Sequence, residues 1–212
     1  MARPGQNIEQ ALLRSGRQLY AQRGALGLSV RALAEHAGVT PSMFHYHFRN
    51  KDEFLQQLLQ GVYEEMFQQL SEGAQQAGPT MQRLRAALHV VARFVRDHAP
   101  VLGRVLIDAA SGQAVAIGFM RANAPRHLKL LLALMDQAQQ EGVLADMAPM
   151  QRFIFVMSSV AMPLLIAPGV LAIGLAPEVI GKGLREQVMT DEAIDQRIEL
   201  AIKAISAPRR KT

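Results

Sequence analysis

The side chains best suited to chemistry in this 212-residue chain crowd into one short stretch, Thr40–Lys51. Ser42, His45, Tyr46 and Lys51 bring hydroxyl, imidazole, phenol and ammonium groups close together, the kind that reach phosphate oxygens and base edges. Three nearby histidines, His36, His45 and His47, raise a metal site as another possibility. At helical spacing they fall on different faces, and no acid or thiolate stands where it would complete a ligand set, so no metal is expected. There is no cysteine, which excludes disulfides and thiolate ligands. Elsewhere Ser, His and Asp occur singly. No Gly-rich phosphate loop, zinc-ligand spacing or paired-carboxylate motif joins them, so no catalytic residue, no cofactor and no enzymatic activity are assigned.

The elements that must hold these groups can be read in Ser29–Lys51, SVRALAEHAGVTPSMFHYHFRNK. Ser29 caps a helix from Val30 to His36. Gly38 supplies the positive φ of a turn, and Thr40 with Pro41 starts a second helix ending near His47. Two short helices joined by a glycine-containing turn describe a helix-turn-helix. Ala34 and Ala37 are small where the helices approach, and Leu33, Val39 and Phe44 are apolar where they pack inward. Placing Phe44 inward puts Pro41 and Phe48 on its side. Ser42 and Tyr46 then point out, flanked by Met43 and His45, on a rod short enough for a major groove. A helix bearing Ile8, Leu12, Ser15 and Leu19 precedes the pair and closes at Gly24 and Gly27. Asn50, with Glu53 three residues on, opens a longer helix carrying Phe54, Leu58, Val62 and Met66 to about Ser71.

This segment resembles the DNA-binding region of the tetracycline-repressor (TetR) family, over about residues 8–60. The resemblance is carried by Leu33–Val39 (LAEHAGV), by Phe44 and Phe48 four apart, by His47–Phe48, and by the run Asn50–Phe54 (NKDEF). It implies that Ser29 contacts a phosphate, that Thr40, Pro41, Ser42 and Met43 begin the recognition helix, and that Lys51 contacts the DNA backbone. The family most often has tyrosine where this chain has His45. Tyr46 stands one place later, so either ring is a candidate for the tyrosine–phosphate contact.

The rest of the chain reads as helix throughout, with no convincing period-two alternation. The expectation is an all-α protein of about nine helices, with a three-helix DNA-binding head at 1–50, a helical effector-binding and dimerisation domain at 51–207, and a basic tail at 208–212. Residues 153–177 lack charge and invite a membrane reading, but Pro163, Pro168, Gly169 and Gly174 interrupt them and no Lys/Arg cluster or aromatic belt flanks them. A helix apolar nearly all round must be covered on both sides. A partner subunit is the natural second cover, with Phe153, Met157 and Val160 facing Ile194, Ile198, Ala201, Ile202 and Ile205 of the last helix. The resemblance also implies such a four-helix homodimer.

A pocket for a small apolar or amphipathic effector is expected among Tyr63, Met66, Phe67, Leu88, His89, Phe94, Asp108 and Phe119. The net charge is +5, unevenly placed. Residues 1–60 hold seven bases against four acids, residues 61–202 twelve against fourteen, and Lys203, Arg209, Arg210 and Lys211 close the chain. Basic ends suit a polyanion, because neutralised phosphates release counterions. Met1–Gln10 has no apolar run like a signal peptide. Together these features point to a cytoplasmic, dimeric transcription regulator that binds double-stranded operator DNA and is released by a small molecule. A non-specific architectural DNA-binding protein and a membrane-tethered regulator are the alternatives.

Overall fold

The computed structural model describes residues 4–208, with side chains from residue 7 on. Of the expected basic tail only Pro208 falls within them; Arg209, Arg210 and Lys211 lie outside the described residues. The described chain is helical: α1 (Pro4–Gly27), α2 (Val30–Ala37), α3 (Pro41–His47), α4 (Lys51–Gln75), α5 (Thr80–Ala110), α6 (Ala114–Gln140), α7 (Pro149–Val160), α8 (Met162–Ala172), α9 (Glu178–Gln187) and α10 (Asp191–Ile205). One isolated bridge, Leu144 to Ser206, is the extended pairing found among them. If α7 and α8 count as one helix interrupted at Ala161, the number is the expected nine.

Prolines decide where the helices differ from expectation. Pro100 has the character of a helix opener, yet α5 runs through it without a break. An internal proline removes a single N–H, and its φ is that of a helix, so a long helix held by side-chain packing can continue past it. Pro125 sits inside α6 in the same way. The uncharged stretch, by contrast, is divided at Ala161, just before Pro163. After it comes α9, a helix despite Gly181 and Gly183 within it.

The chain forms two compact units, residues up to 64 together with 100–123, and 65–99 together with the rest from 124. In the first, α2 and α3 close on α1, and Phe44, Phe48 and Phe54 meet ring to ring, with centroids 4.9–5.4 Å apart. Such contacts contribute about 0.5–1.5 kcal/mol per pair beyond simple burial. Gly16 lets α4 approach α1, since a Cβ there would strike Phe54 and Leu58. The same core takes in Val101 and Val105 of α5 and Ala116 of α6.

In the second unit α10 packs along α7. Arg152 of α7 is fully buried, paired with the Asp136 carboxylate and bonded to Gln139. Arginine ladders tie α5 to α10 through Arg85–Glu199 and Arg96–Asp191. Pro149–Ala172 is long and apolar enough to cross a bilayer, and 22% of its most apolar window is buried within this chain.

Candidate nucleic-acid interface

The geometry of the first unit follows from its caps. Ser29 Oγ accepts the Ala32 N–H (3.2 Å) and starts α2. Gly38, at φ 69°, ends it in the left-handed conformation, which lets the Val39 N–H reach the Ala34 carbonyl (2.9 Å). Pro41 fills the first position of α3, as its ring geometry favours. Thr40 stands at the N-cap, but its hydroxyl pairs with that of Ser42 (2.8 Å) instead of capping the helix. Asn50 Oδ1 accepts the Glu53 N–H (2.9 Å) and opens α4.

On α3 only Phe44 is buried. Ser42, His45 and Tyr46 are exposed, and Tyr46 is 79% accessible. Met43 and His47 are half-buried, with the His47 ring edge-on to Tyr46. One placement differs from the helical wheel: Pro41 is exposed. Phe48 is buried against Phe44 as expected, its N–H bonded to the Phe44 carbonyl at the end of the helix. Arg31 and Arg49 were missed by the sequence reading; both are exposed, at the second residue of α2 and directly after α3. Their charge was the only signal, and motif matching passes over it.

Lys51 has a partner within the protein. Its ammonium is half-buried and donates to the Ala25 carbonyl (2.9 Å). Two further N–H donors remain on the same nitrogen for a phosphate.

The residues expected to line an effector pocket have other engagements. In the first unit the Tyr63 hydroxyl donates to the Asn123 carbonyl (2.8 Å) and its ring meets Phe119 edge-on. Asp108 is buried and accepts from the Ala25 N–H and from Arg104. In the second unit Met66 and Leu88 are core residues, Phe67 lies under the Arg126 guanidinium, and Phe94 packs on His98. The imidazole of His89 bridges Asp195 (2.7 Å) and the Arg85 carbonyl (2.8 Å). For Asp108 and His89, then, a ligand-anchoring role gives way to structural bonds already made. A groove of about 1830 Å³ in the second unit is lined by Arg85, Glu141, Asp146, Glu199, Leu200 and Lys203 among others, and by none of the expected pocket residues.

The expected dimer face also needs correction. Ile194, Ile198, Ala201, Ile202 and Ile205 are buried inside the single chain, as is Val160, because α10 spends its apolar stripe on α7. Phe153 and Met157 are half-buried. Exposed apolar side chains include Met150, Ile154, Phe155, Met162 and Ile166 along α7 and α8, Val179 and Ile180 of α9, and Leu200 of α10. Among the described residues no three His, Cys, Asp or Glu side chains cluster as metal ligands would.

Residues 12–58 match the family model of bacterial regulatory proteins, tetR family. The chain is 26% identical over 137 residues to the HTH-type transcriptional repressor NemR of Escherichia coli, covering 64% of this chain and 69% of that one. It is 22% identical over 135 residues to the repressor KstR2 of Mycobacterium tuberculosis, covering 62% and 66% respectively. Among solved structures, a TetR family regulator from Marinobacter aquaeolei superposes with a TM-score of 0.68 at 17% identity, over 96% of this chain and 97% of that one. The KstR2 structure superposes at 0.65 and 15% identity, over 94% and 95%. At such identities the superpositions speak for the fold alone.

Proposed function

We propose, from the premise that this chain belongs to the tetR family of bacterial regulatory proteins, that it is a DNA-binding transcription repressor whose head reads an operator through α3. The observation that carries the reading is the outward face of α3: Ser42, His45 and Tyr46 stand clear of the core on a helix anchored from behind by Phe44. A buried polar face would have denied base edges any access. Ser29, Thr40, Pro41, Met43 and Lys51 surround this face, and Arg31 and Arg49 add positive charge for phosphates.

The protein acts in the cytoplasm as a homodimer joined through the outward stripe of α7 and α8. Two-fold pairing presents two recognition helices to half-sites about one turn, ~34–36 Å, apart or a multiple of it. A small-molecule effector that favours one spacing of the heads lowers DNA affinity by linkage, typically ~1–3 kcal/mol. The expected DNA-binding head, 1–50, serves the first role on a core it shares with residues from 51–64 and 100–123, and the rest of 51–207 serves effector and dimer contacts.

A mobility-shift titration with the intergenic DNA upstream of the gene tests the reading. A repressor prefers a palindrome there over random duplex by ~10³-fold or more. Equal affinity for both would make it an architectural DNA-binding protein instead. Sedimentation of the Ile154→Glu and Ile166→Glu variants tests the dimer face; two variants that still sediment as dimers would refute it.

A further inference from the structure

Near its C-terminal end α1 makes a bend that is held with unusual care. Gly24 lies inside α1 at φ 66° and ψ −173°, outside helical values, and kinks the helix. A helix break at a surface leaves its orphaned N–H and C=O groups to water. Here both polar atoms of the next residue, Ala25, are taken by distant side chains. The Ala25 N–H donates to Asp108 Oδ2 (2.8 Å), and the Ala25 carbonyl accepts from Lys51 Nζ (2.9 Å). Asp108 is only 2% exposed, and its other oxygen accepts from Arg104 Nε (2.9 Å). The Arg104 guanidinium in turn fills the space a Cβ on Gly24 would need. Burying a carboxylate is costly unless it is paired and bonded; Asp108 is held by Arg104, lies beside the Tyr20 hydroxyl, and turns its second oxygen to a backbone peptide.

We propose that Asp108 and Arg104 of α5, with Lys51 of α4, are positioning residues for DNA binding. They clamp the Gly24–Ala25 bend, and the bend sets the direction in which α2 and α3 leave α1. Only Leu26, Gly27 and Leu28 separate Ala25 from the Ser29 cap, and Leu28 is itself buried in the same core, so little slack remains to absorb an error. None of the three residues needs to touch a base. This inference rests on α3 being the DNA-reading helix.

The test compares wild type with Asp108→Ala, Asp108→Asn and Lys51→Met. Fluorescence anisotropy would measure binding to a duplex selected from a random pool by the wild-type protein, and to random duplex, across a salt series. Loss of the clamp is expected to weaken the selected duplex by roughly tenfold or more while random duplex changes by less than about twofold, because the phosphate-facing groups stay in place. Asp108→Asn keeps an acceptor for the Ala25 N–H and should fall between wild type and Asp108→Ala. Lys51→Met should lower the preference; a salt slope smaller by about one with the preference unchanged would make Lys51 a phosphate contact alone and overturn its place in the clamp.

Circular dichroism checks each fold, and if Asp108→Ala does not fold, the half-exposed Lys51→Met and the milder Asp108→Asn decide the matter. Preference retained by both, or lost equally on random duplex, overturns the proposal. A wild-type protein that selects no duplex at all, or a Tyr46→Ala variant that selects as well as wild type, would instead bring down the reading of α3.

Discussion

Two glycines in the DNA-binding unit have positive φ and should respond to alanine very differently. Gly24, at φ 66° and ψ −173°, lies in a region essentially confined to glycine, whereas Gly38, at φ 69° and ψ 30°, is in the left-handed helical region. A Cβ on Gly38 would meet nothing within 4 Å, whereas one on Gly24 would overlap Arg104. Gly38→Ala therefore carries only the left-handed penalty, ~1–2 kcal/mol. Gly24→Ala carries ~1–3 kcal/mol for its glycine-only backbone region and ~1.5–3 kcal/mol for the Arg104–Asp108 bond given up as the guanidinium swings aside. At roughly 2–4 °C per kcal/mol for a chain of this size, Gly38→Ala should melt a few degrees below wild type and Gly24→Ala about 5 °C or more below it. Gly38→Asn should lose least, since asparagine tolerates the left-handed region. Calorimetric melts of the three variants at one protein concentration decide the question. If Gly24→Ala and Gly38→Ala melt within a degree of each other, the Arg104 contact carries no weight and the reasoning fails.

Tyr46→Ala should cut operator affinity at least tenfold, roughly the value of one lost specific contact, and leave the melting temperature unchanged because the ring is in solvent; a titration and a melt check the two halves. Asp136→Ala should destabilise by ~3–5 kcal/mol, because it strands a fully buried arginine charge. Arg152→Met should cost less, since Asp136 is 43% exposed and can be hydrated; denaturant melts giving the opposite order would refute this. The bond from Arg96 holds the Asp191 carboxyl below its ordinary 3.8, and that from Arg85 holds Glu199 below 4.5. Their contribution is complete above those ordinary values and fades as pH falls through the lowered ones. The melting-temperature gap between wild type and Asp191→Asn should then be flat above pH ~5 and close in stronger acid.

What could be read from sequence was whatever depends on neighbours in the chain. Ser29, Gly38, Pro41 and Asn50 act locally through caps and turn geometry, and each sits where its chemistry requires. The outward face of α3 followed from Phe44 alone. What could not be read was the identity of the surface covering an apolar face. The Ile194–Ile205 stripe has the period of a buried face, but periodicity does not distinguish α7 of the same chain from a second subunit. For the same reason Asp108 and His89 looked like pocket anchors: their partners, Ala25 and Asp195, lie 83 and 106 positions away. Thr40 shows the limit from the other side, a residue in capping position whose hydroxyl pairs with that of Ser42 and takes no backbone N–H.

The sharing of one core by Phe44, Phe54 and Leu58 with Val101, Val105 and Ala116 bears on how such a regulator could be re-engineered. A head transplanted as its first sixty residues would arrive with an open flank and no carboxylate for its bend. Any chimera that is to keep this protein's DNA preference must carry the end of α5 and the start of α6 along with it, so recombination breakpoints between related genes should be tolerated poorly at the close of α4 and better after residue 123.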